Sequence, residues 1–174
     1  PAIVLGRSAR PRRLAAAGLL PATRTHAPSA TIELTHPERV VFPDSGITKQ
    51  QVFHYYRAMA RWLLPEIRER PLSIVRCPQG AGRPCFFQKH HGQGLGDAVR
   101  AVPLEQKSGT EDYVYIDDVE GLLQLVQMNT LELHPWGARV GDVEHPDRLV
   151  FDLDPGEGVA WKAIVEGARD IRDK

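Results

Sequence analysis

The spacing of apolar and polar residues predicts several helices that begin at capping residues. Thr48 can cap a helix whose apolar side chains recur at helical spacing to about Leu64. Prolines bracket a second, short helical piece over residues 65–71. Asp117-Asp118 can cap a further helix that ends near residue 128. A last helix is predicted from about residue 159 to the end of the sequence.

Short alternating or β-branched segments between these helices predict strands. They cover residues 72–75, 113–116 and 131–134. The first helix carries an aromatic stripe that includes Tyr55 and Trp62. Such a stripe is more typical of a core than of a surface that stacks nucleic-acid bases, so we predict that it is buried.

Residues 148–156 read Arg-Leu-Val-Phe-Asp-Leu-Asp-Pro-Gly, which predicts a strand that ends in a turn. Side chains alternate across a strand, so the apolar residues Leu149, Phe151 and Leu153 should share a buried face. Asp152 and Asp154 should then point together to the opposite side. The pattern therefore brings two carboxylates close together at the end of one strand.

Two adjacent carboxylates point to a divalent metal. Like charges at this spacing repel each other, and a bound cation would remove that cost. Carboxylate oxygens suit Mg²⁺ or Mn²⁺, the ions of two-metal nucleotidyl transfer. The alternative is an ordinary strand end followed by an Asp-Pro-Gly turn. The local pattern leaves both interpretations open.

Charge is distributed unevenly along the chain of 174 residues, although its net charge is zero. Residues 1–32 contain five arginines and no acid, whereas the rest contains 17 basic and 22 acidic residues. A basic footprint over the whole domain is therefore absent, and any contact with nucleic acid must come from a local patch. No apolar run approaches the length of about 20 residues that a membrane helix needs.

Residues 1–30 are rich in Arg, Ala and Pro and predict a disordered leader or linker. Arg12-Arg13 followed by a short apolar run also resembles a twin-arginine export signal or an organelle transit peptide. Cys77 and Cys85 have a spacing that fits neither a zinc ribbon nor a Cys-x-x-Cys redox pair. We therefore expect reduced cysteines in a cytoplasmic protein.

Five segments, taken in order, resemble one family. They are residues 34–40, 46–49, 86–89, 131–136 and 148–156. The family is the primase-like polymerase domain of bacterial multifunctional ATP-dependent DNA ligases, which repair double-strand breaks by non-homologous end joining. The resemblance covers residues 31–174, and its most specific part is the segment with the two aspartates. Residues 1–30 show none of it.

The resemblance implies an α/β (α+β) fold of the archaeo-eukaryotic primase type, with a central mixed or antiparallel sheet flanked by helices. It implies a polymerase that adds ribo- or deoxyribonucleotides to DNA ends with Mn²⁺ or Mg²⁺. The implied partners are DNA ends that carry a 5′-phosphate, the end-binding protein Ku, and ligase and phosphoesterase domains. The implied location is the cytoplasm, at the nucleoid and not at a membrane.

The resemblance also assigns roles to particular residues. Asp152 and Asp154 match metal-binding catalytic acids, and His134 matches a histidine that holds the incoming nucleotide. A 5′-phosphate pocket of the family matches His36, Arg39 and Lys49. An aromatic pair that stacks at the DNA end matches Phe86 and Phe87. Adjacent strand residues face opposite sides, so we expect one ring in the core and the other on DNA.

Two expected parts of the family pattern do not occur before Lys174. One is a glycine-rich loop that holds the nucleotide phosphates, and the other is a third metal-binding aspartate. The family often has lysine where Arg39 stands; arginine keeps the charge and can grip phosphate with two bonds. We therefore expect the front part of a polymerase domain. The alternatives are a non-catalytic module that binds DNA ends, and a truncated product without a stable fold.

Overall fold

The computed structural model describes residues 32–92, 94–107 and 109–174. The leader predicted over residues 1–30 lies outside this part of the chain. The elements in chain order are β1 Val40–Phe42, β2 Ile47–Thr48, α1 Lys49–Ile67, β3 Leu72–Arg76, β4 Phe86–Gln88, β5 Arg100–Gln106, β6 Gly109–Tyr115, α2 Val119–Gln127, β7 Thr130–Pro135 and α3 Trp161–Arg172. The mixture of helices with antiparallel sheets confirms the α/β (α+β) class predicted from the sequence.

An antiparallel sheet of order β4–β3–β7 lies at the centre of the fold. Ile74 is opposite Gln88 on β4 and Leu133 on β7, which fixes the register of all three strands. Leu72 and Ile74 are fully buried on one face, in the core cluster that they form with residues of α1 and α2. The opposite face is open at Phe87, Glu132 and His134, whose exposed side chains are considered below.

The hairpin of β5 and β6 forms a separate two-stranded sheet, and β6 contacts the residues that directly follow β4. The backbone N–H of Val114 donates to the carbonyl of Lys89 at 2.9 Å, and His90 forms a bridge with Tyr113. The predicted strand at residues 113–116 is thereby confirmed as the end of β6. Strand β5 contains Pro103, which removes one backbone hydrogen-bond donor. Because proline is rare in strands, the sequence pattern did not predict β5.

Helix α1 begins as its sequence predicts. Thr48 and Gln51 form a reciprocal capping box at its N-terminus. The helix then runs as one piece to Ile67 and keeps Pro65 inside its last turn, so the predicted separate helix at residues 65–71 is wrong. A proline this close to the end deprives only one carbonyl of an intrahelical partner, near the turn where carbonyls lose their partners in any case.

The aromatic stripe of α1 is only partly buried, which corrects a second prediction. Residues that face α2 and the sheet, such as Phe53 and Ala60, are buried. Tyr55 and Trp62 lie on a neighbouring stripe and are exposed. Tyr55 lines an open cavity of about 440 Å³ together with Phe42 and residues of β2 and β7. Helical spacing identified the stripe. Which of its side chains are buried depends on how α2 packs against α1.

Helix α2 confirms its predicted cap and its predicted position. The side chain of Asp118 accepts a hydrogen bond from the backbone N–H of Gly121 at 2.9 Å. Leu122 and Leu125 are fully buried in the main core cluster. Leu123 and Val126 pack into a second cluster under β1. One short helix thus joins both clusters of the core.

The strand predicted for residues 148–156 is not formed. Apart from a single bridge at Phe151, this segment has no strand pairing among the described residues. Leu149 and Phe151 are exposed, so the predicted buried apolar face is also wrong. A period-two pattern becomes a strand only when a neighbouring strand takes its backbone hydrogen bonds. Helix α3 follows as predicted, and none of its side chains is fully buried.

Candidate functional site

The loop before α1 brings two of the predicted phosphate ligands together. The backbone N–H of Lys49 donates to the carbonyl of Arg39 at 2.8 Å, and that of Gln50 donates to Pro37 at 2.9 Å. These bonds fold the loop back onto the start of the helix. His36 lies in the same loop with a φ of +53°, and its carbonyl accepts the N–H of Arg39 at 3.1 Å. His36 and Arg39 therefore lie in one turn before β1, and Lys49, the first residue of α1, is bonded to Arg39.

Lys49 and Arg39 place two positive charges close together, and we refer to them with His36 as the candidate phosphate pocket. Lys49 is only 4% exposed, and its Nζ donates to the carbonyl of Thr35 at 3.0 Å. Arg39 is exposed and donates from Nη1 to the carbonyl of Pro78 at 2.8 Å. Each side chain keeps further N–H groups for another acceptor. Within the described ranges, neither cation is paired with a carboxylate.

The electrostatics of this pocket favour an anion. Burial and, second, the charge of Arg39 hold the pKa of Lys49 below its ordinary value of 10.5. Both effects mean that the protonated lysine is costly here. A phosphate placed between the two cations would offset that cost, and charged hydrogen bonds would hold it.

The N-terminus of α1 has few backbone N–H groups left for an anion. The N–H groups of Lys49 and Gln50 are taken by carbonyls of the preceding loop. The N–H of Gln51 donates to the hydroxyl of Thr48 at 3.4 Å. A helix N-terminus binds anions through N–H groups that lack a partner. A phosphate at this pocket would therefore be held by side chains.

A second group of predicted residues meets on the open face of the sheet. Phe87 on β4 is 73% exposed, and its ring centroid lies 5.8 Å from that of His134 on β7. His134 Nε2 lies 2.8 Å from a carboxylate oxygen of Glu132. Across the sheet Val75 pairs with both Phe87 and Glu132, and Ser73 pairs with His134. Thus β4, β3 and β7 present an aromatic ring beside a histidine-carboxylate pair.

Phe86 faces the other side of the sheet, as the alternation predicts. The guanidinium of Arg76 lies 5.5 Å from the centroid of its ring. Phe86 is nevertheless 47% exposed, so the prediction that one of the two rings would be buried in the core is wrong. The reason is its place on a short edge strand, beyond the part of the sheet that the helices cover.

The segment leading to Asp152 and Asp154 is anchored at its beginning. Arg70 is 2% exposed and donates to the Asp147 carboxylate at 2.8 Å and to the carbonyl of Trp136 at 3.3 Å. The hydrogen bond from Arg70 is the main cause that holds the pKa of Asp147 below its ordinary value. Sequence analysis did not identify Arg70, because a single arginine before a strand has no distinguishing pattern.

A glycine allows this anchor to close. The backbone N–H groups of Asp147 and Arg148 both donate to the carbonyl of Gly137, at 3.0 and 3.1 Å. A Cβ atom on Gly137 would lie 2.3 Å from the carbonyl oxygen of Arg148, so a side chain cannot be accommodated there. Arg148 also forms an ion pair with Glu66 of α1. The chain is thus fixed at residue 148, just before the two aspartates.

Asp152 and Asp154 are exposed. Their carboxylate oxygens are the kind of ligand that Mg²⁺ and Mn²⁺ prefer. Across residues 32–92, 94–107 and 109–174, no group of three His, Cys, Asp or Glu side chains is placed to hold a metal. The two carboxylates therefore fit a divalent ion in the kind of atoms that they offer. His134 lies on β7, in the central sheet, and its partner is Glu132.

Comparison with known proteins decides the family. The family model described as the LigD primase-polymerase domain matches residues 48–174, which is most of the chain. This chain belongs to the LigD primase-polymerase family. Similar proteins include the multifunctional non-homologous end joining protein LigD of Mycolicibacterium smegmatis, 37% identical over 143 residues, and that of Pseudomonas aeruginosa, 33% identical over 163 residues.

The family relationship extends to a solved structure. The polymerase domain of Mycobacterium tuberculosis Ligase D in complex with DNA matches with a TM-score of 0.70 and 33% sequence identity. The match covers 82% of this chain and 52% of that chain. For the two LigD relatives, the match covers 81% and 94% of this chain but 19% of each relative. The chain thus spans about a fifth of the length of these multifunctional proteins.

The cysteines of this LigD-family chain form a disulfide, which sequence analysis missed. Cys77 and Cys85 are bonded to each other, with their Cα atoms 4.4 Å apart. The expectation of reduced cysteines is wrong for the structure. Arg76 and Phe86 are paired with each other at one end of the β3–β4 ladder. Cys77 and Cys85 occupy the next positions beyond that pair. Knowledge of that pairing would have revealed the bond, whereas spacing in the sequence alone could not.

None of the described helices combines the length and the hydropathy that crossing a membrane requires.

Proposed function

We propose that this chain is part of a repair polymerase that binds 5′-phosphorylated DNA ends and adds nucleotides there during non-homologous end joining. The observation that carries the proposal is the meeting of Arg39 and Lys49 without a carboxylate partner in the described structure. His36 in the same loop is the third ligand of the phosphate. A 5′-phosphate supplies the charge and the acceptor oxygens that this pocket lacks.

The open sheet face supplies the second contact. Phe87 presents a largely exposed ring, on which a base at the DNA end can stack without regard to sequence. His134 stands next to that ring and, held by Glu132, is placed to hold a phosphate oxygen of an incoming ribo- or deoxyribonucleoside triphosphate. The solved relative named above was determined in complex with DNA, which supports a DNA-binding role for the same fold.

Asp152 and Asp154 are the residues that would hold Mn²⁺ or Mg²⁺. When bound, the metal supplies activation of a primer 3′-hydroxyl and neutralises charge on the triphosphate. The chain's own contribution is to offer two carboxylates, two positions apart in the sequence, in the segment that follows the anchor at residue 148. Ku, ligase and phosphoesterase domains are the partners we propose for the natural protein, and the nucleoid is the proposed location.

Template-directed extension tests the catalytic half of the proposal. We expect that this polypeptide alone binds a gapped duplex but adds no nucleotide with Mn²⁺ and ribonucleotides. Positioning and electrostatics provide nearly all the catalysis of phosphoryl transfer, and the described residues offer two metal ligands on an unpaired segment. The comparison is a polypeptide of the full polymerase domain, which should extend the primer. Extension by the short chain, abolished by Asp152→Ala, would contradict this account of the site.

A non-catalytic role in end binding is the second candidate, and one observation favours it. The phosphate pocket is formed entirely by described residues, whereas the two aspartates lack strand support. Incorporation by the full polymerase domain that depends on Asp152 would favour the polymerase. End binding without incorporation in both polypeptides would favour the binding module.

Replacing Phe87 by alanine should weaken DNA binding by about 1–3 kcal/mol, the usual contribution of one base stacked on an aromatic ring. The free energy of unfolding of this variant should change little, because the ring of Phe87 is largely exposed. Phe86→Ala is the matched control, since that ring faces the opposite side of the sheet. The measurement is fluorescence anisotropy with a recessed duplex, paired with thermal unfolding of each variant. Equal losses of DNA affinity in both variants would contradict the assignment.

The preference for a 5′-phosphate should decline with rising pH earlier than an ordinary lysine would allow. The pKa of Lys49 lies below 10.5, and phosphate binding needs its protonated form. The preference should therefore be present at neutral pH and be lost as pH rises through the lowered pKa. Folding has the opposite sign: the unfolded chain binds the extra proton in this window, so stability should rise with pH there.

Lys49→Arg separates these effects, because a guanidinium stays protonated throughout the range. Its phosphate preference should stay constant while that of the wild type declines. The measurement is the ratio of affinities for phosphorylated and hydroxyl ends from pH 7 upward. The same slope in both proteins would exclude Lys49 as the titrating group.

A further inference from the structure

The loop between β3 and β4 physically connects the phosphate pocket to the stacking strand. It begins at Cys77, directly after β3, and ends at Cys85, directly before Phe86. The disulfide between these cysteines closes the loop at its base. The backbone N–H of Cys77 also donates to the carbonyl of Asn129 at 2.9 Å, which holds that end to the start of β7.

The loop contacts the phosphate pocket at defined points. The carbonyl of Pro78 accepts the hydrogen bond from Arg39 at 2.8 Å. The backbone N–H of Ala81 donates to the carbonyl of Val41 at 2.7 Å. Gly80 has a φ of +92°, and a Cβ there would lie 2.9 Å from the same Val41 carbonyl, so the loop lies tightly against β1. The direction of the Arg39 side chain therefore depends on where this loop is held.

We propose that Cys77 and Cys85 form a thiol–disulfide exchange site whose oxidised state fixes Arg39 for phosphate binding. The reacting partner is a low-molecular-weight disulfide, or the corresponding thiol in the reverse direction. The link to phosphate affinity rests on the proposed function, whereas the exchange reaction and its effect on the loop do not. With the bond closed, Pro78 is held at the pocket; with the bond open, the Cys85 end of the loop is free to separate from Cys77.

The two sulfurs differ in the way that such a site requires. Cys85 is exposed, whereas Cys77 is buried. In oxidation, the Cys85 thiolate attacks the small disulfide, which forms a mixed disulfide and releases one small thiolate. The Cys77 thiolate then attacks the Cys85 sulfur and releases the second. Two protein thiols are thereby oxidised and one small disulfide is reduced to two thiols, while the two protons pass to solvent or to those thiolates.

The sequence makes the experiment specific. These are the only cysteines among the 174 residues, so a thiol reductant acts on this bond alone. The protein is prepared oxidised with glutathione disulfide and reduced with dithiothreitol, and alkylation followed by mass spectrometry reports the state. Affinities are then measured for a recessed duplex with a 5′-phosphate and with a 5′-hydroxyl. Cys77→Ser/Cys85→Ser is the control that cannot respond.

Reduction should lower the preference for the phosphorylated end by about twofold to tenfold, the effect of weakening roughly one net hydrogen bond. The double serine variant should match the reduced protein and ignore both reagents. Failure of glutathione disulfide to oxidise the pair would overturn the proposal. So would a clear phosphate preference that is equal in the two states.

Amide hydrogen exchange at Ala81 separates the proposal from the function on which it partly rests. The amide should exchange more slowly in the oxidised protein, because its bond to Val41 is held by the closed loop. If neither state distinguishes a phosphate from a hydroxyl, the proposed function fails, and the exchange rates decide the fate of the redox site. Equal exchange rates in the oxidised and reduced proteins would then overturn it.

Discussion

Lys49→Ala should weaken binding to a 5′-phosphorylated recessed duplex by about 10- to 150-fold, and it should leave binding to the 5′-hydroxyl duplex nearly unchanged. The estimate is the loss of one hydrogen bond between charged groups, about 1.5–3 kcal/mol. The nearly complete burial of Lys49 keeps water from screening that contact. Of the two cations only Arg39 would remain, and its guanidinium already donates one hydrogen bond to the Pro78 carbonyl.

The control for this prediction is Lys162→Ala. It removes the same charge from an exposed position on α3, where the lysine faces Glu166 at 3.9 Å. Its phosphate preference should equal that of the wild type. Thermal unfolding of both variants shows whether the folded state is kept, since Lys49 also donates to the Thr35 carbonyl. An unchanged phosphate preference in a folded Lys49→Ala protein would place the phosphate elsewhere.

Arg70→Ala should destabilise the fold by about 1.5–3 kcal/mol through lost charged hydrogen bonds. Arg70 is buried and holds both the Asp147 carboxylate and the Trp136 carbonyl. Because Asp147 is half-exposed, water can solvate its freed carboxylate, which keeps the cost below that of breaking a fully buried pair. The lost anchor should also loosen the segment that carries Asp152 and Asp154.

Arg139→Ala is the matched control, because Arg139 donates to the same carboxylate at 3.1 Å from an exposed position. An exposed ion pair contributes about 0–1 kcal/mol, so this variant should remain close to the wild type. Urea unfolding of the two variants gives the difference directly. Equal free energies of unfolding would mean that burial of Arg70 is not what makes the anchor strong.

Local signals in the sequence predicted the elements that local interactions form. Thr48 and Asp118 are caps whose hydrogen bonds involve residues three positions away, so their helices start where the sequence indicates. The strand prediction for residues 148–156 was wrong because the alternating pattern specifies two faces but does not supply a neighbouring strand to pair with. Strand β5 was missed because Pro103 interrupts the propensity on which strand prediction depends.

The candidate site shows the same division. The resemblance located Arg39 and Lys49, and the structure shows that the backbone N–H of Lys49 donates to the carbonyl of Arg39. The path of the preceding chain decides which backbone N–H groups at the start of α1 lack a hydrogen-bond partner. No local sequence pattern specifies that path. Alternation placed Phe86 and Phe87 on opposite faces, but only the packing of the whole sheet reveals that neither ring is buried.

Hydrogen–deuterium exchange of the wild-type chain, with and without a recessed duplex, tests the central claim most directly. A 5′-phosphorylated duplex should slow exchange over residues 36–50 and in β4 and β7 around Phe87 and His134. A 5′-hydroxyl duplex of the same sequence should protect β4 and β7 but not residues 36–50. Equal protection of residues 36–50 by both duplexes, or protection confined to other parts of the chain, would contradict the account.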